Sequence, residues 1–213
     1  METMTQRLVQ IQSGDARLEG SLGVPEGARG VVLFAHGSGS GRFSPRNQYV
    51  ARVLCEGGIA TLLIDLLEEW ESDDRKKVFD IDLLAERLLS ATTWLEQDDQ
   101  TKSMAIGYFG ASTGAAAALQ AAAEADHNVK AIVSRGGRPD LAMDYLPRVH
   151  APTLLIVGGN DWPVIQLNQQ AYDALQGIKE MVIIPGATHL FEEPGALEEV
   201  ARLAEEWFGK YLT

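Results

Sequence analysis

The stretch that most limits what this chain can fold into runs from Met104 to Ala123. An apolar segment, Met104-Ala105-Ile106-Gly107-Tyr108-Phe109, leads into Gly110-Ala111-Ser112-Thr113-Gly114, and a run of alanines interrupted by Leu119 follows. The first part has the character of a strand and the last that of a helix, alanine having the best intrinsic helix propensity. A serine therefore stands where a strand turns sharply into a helix. Such a reversal leaves no room for side chains beside it, which accounts for Gly110 and Gly114, and the turn presents the hydroxyl beside the free N–H groups of a helix start. Gly-x-Ser-x-Gly is short, and among 21 glycines a chance match is easy; the strand before it and the helix after it give it weight.

The rest of the chain repeats the same alternation. Arg7 to Val24 alternates loosely around Gly14-Asp15, the pattern of an antiparallel hairpin at a sheet edge, and Pro25 to Gly30 reads as a turn. Val31 to Ala35 is a continuous apolar run, as in a strand buried on both faces of a parallel sheet, and a glycine-rich loop, His36-Gly37-Ser38-Gly39-Ser40-Gly41, follows it. That loop lacks the Lys-Ser/Thr ending of a phosphate-binding loop and the spacing of a dinucleotide fingerprint, so it is read as offering a backbone N–H to an oxyanion. Asn47 to Glu56 is expected to be a helix ended by Gly57-Gly58, and Ile59 to Ile64 a strand. Leu66 to Lys77, with Glu68, Glu69, Glu71, Asp73 and Asp74, reads as a solvated loop. A helix is expected from Phe79 to Leu95, a strand over Ala131 to Ser134, another over Thr153 to Val157, a helix through Leu167 and Leu175, a strand over Met181 to Ile184 and a last helix from Gly195 to Phe208. Strands alternating with helices call for a mostly parallel sheet covered on both sides, and the length fits one domain over 1–213.

Composition narrows the partners. A formal net charge of −12 argues against nucleic acid and anionic membrane, since both need a basic footprint. Cys55 is the only cysteine, so no intrachain disulfide is possible. The first dozen residues have no basic region followed by an apolar core, and no apolar run approaches the length of a membrane span, so a cytoplasmic protein is expected. Nothing in the sequence calls for a cofactor or a metal, and the oligomeric state is not legible.

In open parallel sheets ligands bind beyond the carboxyl ends of the strands. Standing there are His36-Gly37-Ser38, Asp65, Ser112, Arg135, Asp161 and His189. A serine hydroxyl needs a base to act as nucleophile, imidazole suits that task near neutrality, and a carboxylate behind the ring fixes its tautomer. The chain order Ser112, Asp161, His189 is that of α/β-hydrolases, not that of chymotrypsin-like or subtilisin-like enzymes.

The His36-Gly37-Ser38-Gly39-Ser40 loop with Ser44-Pro45-Arg46-Asn47, the Gly107-to-Gly114 elbow, Gly158-Gly159-Asn160-Asp161 and Pro185-Gly186-Ala187-Thr188-His189 together resemble the dienelactone-hydrolase-like group of α/β-hydrolases, over nearly the whole chain. The resemblance implies an α/β-hydrolase sheet, mostly parallel with an antiparallel N-terminal edge. It also implies Ser112 as nucleophile, His189 as base, Asp161 as orienting acid, and an oxyanion hole from the backbone N–H of Thr113 with that of Ser38, or Gly39 if the loop is offset. One departure stands out: dienelactone hydrolases use cysteine as nucleophile, and serine here leans toward simple ester hydrolysis of a small-molecule substrate. Between the strand ending at Ser134 and the next, Gly136 to Pro152 leaves room for one short helix and no large lid.

Alternatives remain at several positions. Asp161 could cap the helix after it, with Asp65 as the acid. His36 more readily braces the glycine loop than acts as base, and His127 and His150 lead into strands on the far side of the sheet. Arg135 could attract an anionic substrate, although pairing with Asp140 or Asp144 is the favoured reading, and Trp162 could line the pocket or pack. The same residues would serve a thioesterase or acyltransferase, and a catalytically silent or laboratory-altered binding protein of the same fold is the alternative outside enzymes.

Overall fold

The computed structural model describes residues 5–125 and 128–212. Eight strands form one sheet: β1 Thr5–Ser13, β2 Ala16–Val24, β3 Gly30–Ala35, β4 Ala60–Ile64, β5 Ala105–Ala111, β6 Val129–Arg135, β7 Thr153–Gly158 and β8 Lys179–Ile184. Their order across the sheet is β1-β2-β4-β3-β5-β6-β7-β8. The hairpin β1–β2 is antiparallel and β2 joins β4 antiparallel; every other pairing is parallel. The central strands β3, β4 and β7 are buried at every position, which is why they are continuous apolar runs and not alternating ones.

The helices are α1 Pro45–Glu56, α2 Arg75–Val78, α3 Ile81–Gln97, α4 Thr113–Glu124, α5 Trp162–Ala174 and α6 Ala196–Tyr211. Apolar residues of α1 and α6 pack on one face of the sheet, with Phe34, Phe109 and Val133 beneath them. Those of α3, α4 and α5 pack on the other, over Leu33, Tyr108 and Ile132. Successive strand residues point to opposite faces, so each strand feeds both cores. The alanines of α4 are buried almost throughout, because a helix of small side chains lies close against the sheet and against α3. Gly136 to Pro152 contains one 3₁₀ run, Pro139–Arg148, packed on α4 and α5, and no lid domain.

The expected solvated loop after β4 is only partly that. Glu69, Asp73 and Asp74 are exposed, but the segment holds a 3₁₀ turn, Glu69–Glu71, and the short helix α2, and Glu71 is 2% exposed. Its carboxylate takes both ends of the Arg87 guanidinium, at 2.6 and 2.9 Å, and the Lys77 ammonium at 2.7 Å. The expected helix start at Phe79 lies two residues on, at Ile81, because Asp80 accepts the Leu83 N–H as its cap and Phe79 closes α2.

The connections out of β3 and β5 run in opposite directions, since β4 lies on one side of β3 and β6 on the far side of β5. The loops leaving the carboxyl ends of these two neighbours therefore diverge at a topological switch point, the place where such sheets bind ligands. The 36–41 loop and Ser112 are those two loop starts.

Candidate functional site

Ser112 sits in the left-handed region, with φ 51° and ψ −123°. For a residue with a side chain that conformation costs about 1–3 kcal/mol, and it is held by its surroundings. The Ser112 N–H donates to Arg135 O at 3.3 Å, and its carbonyl accepts from the N–H of Ala115 at 3.1 Å and of Arg138 at 3.0 Å. A Cβ at Gly110 would lie 2.8 Å from Ala115 N, and one at Gly114 would lie 2.5 Å from His36 O. Glycine at 37 serves the same end, since a Cβ there would come within 2.9 Å of Ser112 Cβ. The elbow and the loop after β3 are thus pressed together backbone to backbone.

The loops after β7 and β8 are docked on each other in the same way. Gly159 N donates to Ile184 O at 2.8 Å, Asn160 N to Ala187 O at 2.9 Å and the Asn160 amide to Gly186 O at 3.0 Å. This brings Asp161 to His189, whose Nδ1 donates to Asp161 Oδ2 at 2.7 Å. An ionised carboxylate only accepts, so Nδ1 carries the proton and Nε2 is left with its lone pair. Asp161 is the N-cap residue of α5, its carbonyl accepting the Ile165 N–H at 3.0 Å, but its side chain, 13% exposed, makes no capping bond. The carboxylate therefore serves His189 and not the helix end. Behind the imidazole, Glu193 holds Thr188 by its N–H and its hydroxyl, and these bonds draw its carboxyl below the usual range.

The segment 135–138 joins the two halves. Its backbone holds both polar groups of Ser112, and at Gly136, with φ 53°, a Cβ would lie 3.2 Å from His189 O and 3.6 Å from the ring carbon Cε1. Among the described residues no hydrogen bond joins the Ser112 hydroxyl to the imidazole, whose side chain is 40% exposed. Thr113 opens α4, where first-turn N–H groups have no intrahelical partner. The Ser38 N–H is engaged, donating to Thr113 Oγ1 at 3.1 Å, and Gly39 turns with φ 68°.

The other residues singled out in the sequence fall as follows. His36 is buried and braces the loop: its Nδ1 donates to Gly37 O and its Nε2 accepts the Leu66 N–H, both at 2.9 Å. Burial outweighs these bonds and the nearby Asp65 charge and lowers its pKa, keeping the ring neutral. Asp65 is taken by Arg42, through both its backbone N–H and its guanidinium, and not by a histidine. His150 is exposed just before β7, at the opposite end of the strand from Asp161, and His127 lies outside the described residues. Trp162 is 70% exposed beside Asp161. Arg135 does not pair with Asp140 or Asp144; Arg138 takes Asp140, with two bonds of 2.9 Å. Strand alternation sends Arg135 to the face of Ala131 and Val133, where it donates to Asn47 Oδ1 at 3.0 Å and lies 5.9 Å from the Phe191 ring.

Two features of the site escaped the sequence reading. Asn47 in the first turn of α1 and Phe191 in the left-handed region two residues after His189 both meet Arg135. A hydrogen-bond chain also runs from Glu71 through Arg87 to Leu66 O, and from the Leu66 N–H through His36 to Gly37. The available signal was Arg87 itself, a charge on the buried stripe of α3 formed by Leu84, Leu88, Ala91 and Leu95.

Residues 19–212 match the dienelactone hydrolase family. The chain belongs to that family. The crystal structure of a dienelactone hydrolase from Anabaena variabilis is 58% identical, superposes with a TM-score of 0.96 and covers 99% of each chain. At 17% identity the esterase Est1E from Butyrivibrio proteoclasticus, with a TM-score of 0.82 over 95% of this chain and 98% of that one, shares the α/β-hydrolase fold. A Mycobacterium tuberculosis protein named "Putative phosphoribosyl transferase" is 58% identical over 204 residues, 96% of this chain. The chain spans about half, 46%, of the length of that relative. This member of the dienelactone hydrolase family thus matches the Mycobacterium protein over a segment that folds as an α/β-hydrolase.

Proposed function

We propose that the chain is a serine hydrolase that cleaves small carboxylic esters through Ser112, His189 and Asp161. The observation that carries this reading is the 2.7 Å bond from His189 Nδ1 to Asp161, with the ring over the segment that also grips the strained Ser112. His189 Nε2 takes the Ser112 proton as the hydroxyl oxygen attacks the ester carbonyl, and Asp161 stabilises the imidazolium. Catalytic hydrogen bonds are commonly long in ligand-free sites and tighten with substrate, so Ser112 and His189 close on each other in the complex. The oxyanion is held by the Thr113 N–H and by the Ser38 N–H once the Thr113 hydroxyl yields it, with Gly39 as the offset donor. His189 returns its proton to the leaving alkoxide, and water repeats the sequence on the acyl-serine. Trp162 borders the substrate as an exposed wall beside the acid, and His36 acts only indirectly, by setting the loop.

Thioester cleavage and acyl transfer use the same groups. The transferase name of the Mycobacterium protein belongs to a chain about twice as long, and the site described above has the parts of acyl chemistry. Fluorophosphonate labelling of the wild type, lost in Ser112→Ala, together with turnover of 4-nitrophenyl esters of graded chain length, tests the proposal. Labelling that persists in Ser112→Ala would overturn it.

A further inference from the structure

The backbone of 135–138 meets both the serine and the imidazole. Arg135 O accepts the Ser112 N–H, the Arg138 N–H donates to Ser112 O, and Gly136 lies against His189. Between the two grips on Ser112 stands Gly137, which is fixed from three elements. A Cβ there would collide with Ser134 Oγ of β6 and with Ala115 Cβ of α4, so the chain is pressed against both. The third element is α5, from which the amide of Asn168 donates to Gly137 O at 3.0 Å and to Val164 O, on its own helix, at 2.8 Å.

Asn168 is 0% exposed, and both of its acceptors are carbonyl oxygens, so the two N–H groups of its amide are spent on them. Its place on α5 gives the bond to Gly137 a direction. Asp161 is the N-cap of α5, and Asn168 stands about two turns further along the same helix. A helix is stiff over that length, so a shift at one end is passed to the other. Asp161 is bonded to His189, and 135–138 is bonded to Ser112. The β6–β7 ladder joins these two sets at the level of the strands, ending with the Gly136 N–H on Ile156 O. Beyond the strands, Asn168 carries the link onward, from the helix that starts at the acid to the segment that grips the serine.

We infer that Asn168 is a positioning residue: by holding Gly137 O it sets where the 135–138 segment places Ser112 relative to the imidazole that Asp161 orients. This rests on the esterase reading and adds to it a buried residue that touches neither the substrate nor a triad side chain. Without the bond, the chain between the Arg135 and Arg138 grips is free to turn, which moves the hydroxyl and leaves the substrate's own contacts in place. The signature is a fall in kcat with KM held, because a misplaced nucleophile weakens the transition state and not the bound ester.

The test uses two variants. Asn168→Leu keeps the volume and drops the polar group; Asn168→Ser has a hydroxyl that can bond Val164 O, four residues back, but is too short for Gly137 O. With a 4-nitrophenyl ester, kcat per site, counted at the end point of fluorophosphonate labelling, should fall about 30-fold in both, with KM within about twofold of wild type. The rate of labelling at Ser112 should slow by a similar factor. A role confined to packing would lower the thermal midpoint and leave kcat per site alone. A second arm reads amide exchange by NMR: the Ser112 and Arg138 N–H groups should exchange at least about tenfold faster in the variants, while the amides of β7 keep their rates. A kcat per site within about threefold of wild type in a folded variant overturns the positioning role and leaves the esterase reading intact. If the wild type turns over no ester and takes no label, the esterase reading fails and the exchange arm decides alone. Faster Ser112 and Arg138 amides then support the tie, and unchanged ones overturn it. If neither variant folds, Asn168 belongs to the fold and the positioning role falls.

Discussion

Replacing Glu71 by glutamine should destabilise the protein by about 3 kcal/mol at neutral pH, and the deficit should shrink in acid. In the fold its carboxyl is held down to about 2, first by the Arg87 bonds and also by Lys77 and the Glu68 N–H, against burial. The ordinary value is 4.5. At about 1.36 kcal/mol per pH unit, that difference corresponds to about 3 kcal/mol in favour of the folded state. The sign follows from the direction: a carboxyl with a depressed folded value contributes fully above 4.5 and loses its contribution as pH falls toward 2. Between pH 6 and pH 3 the contribution should fall by about 2 kcal/mol. Urea unfolding of wild type and Glu71→Gln at both pH values measures this, and the difference between the two proteins cancels the other carboxylates. A double-mutant cycle with Arg87→Met should show that removing both partners costs less than the two single losses combined, since each single change strands a buried polar group. A deficit below about 1 kcal/mol at pH 6, or one unchanged at pH 3, would refute the reasoning.

Four further outcomes are expected. Asp161→Asn should keep the fold and lower kcat for ester hydrolysis by about 10⁴, because the amide favours the wrong imidazole tautomer; steady-state kinetics with a 4-nitrophenyl ester checks it. Gly37→Ala puts a methyl 2.9 Å from Ser112 Cβ and 3.1 Å from Ala111 O, so kcat should fall more than about tenfold while the thermal midpoint moves by only a few degrees. His36→Gln should flatten the acid limb of the stability profile: burial lowers the folded pKa, so wild-type stability is whole above 6.5 and declines as pH falls below it. Unfolding midpoints at pH 7 and pH 5 read this. Ser112→Ala should abolish ester turnover by several orders of magnitude, measured against the uncatalysed rate.

The elements that position the site were legible because each rests on short-range signals. Continuous apolar runs marked β3 and β7, glycines marked the elbow, and the positions of Asp161 and His189 after the last two strands brought them together. What the sequence hid are contacts across the fold. Glu71 looked like one more solvated acid in a charged run, and its partner is sixteen residues away on another helix. Proximity along the chain offers Arg135 the carboxylates of Asp140 and Asp144, yet the period of β6 turns its side chain to the opposite face from the 3₁₀ run, which packs on α4 and α5. The Ser38 N–H, expected as a donor, is held by a threonine hydroxyl, a bond that depends on how two loops meet.

The mutual docking of the loops after β7 and β8 fixes Asp161 and His189 relative to each other, while Ser112 is held by backbone from the loops after β3, β5 and β6. Across the boundary between them β6 and β7 pair from Ile132 to Arg135, and the Gly136 N–H carries the ladder on to Ile156 O, so the two groups are joined through backbone. Under the proposed mechanism, substitutions along that seam are expected to change turnover without touching either side chain.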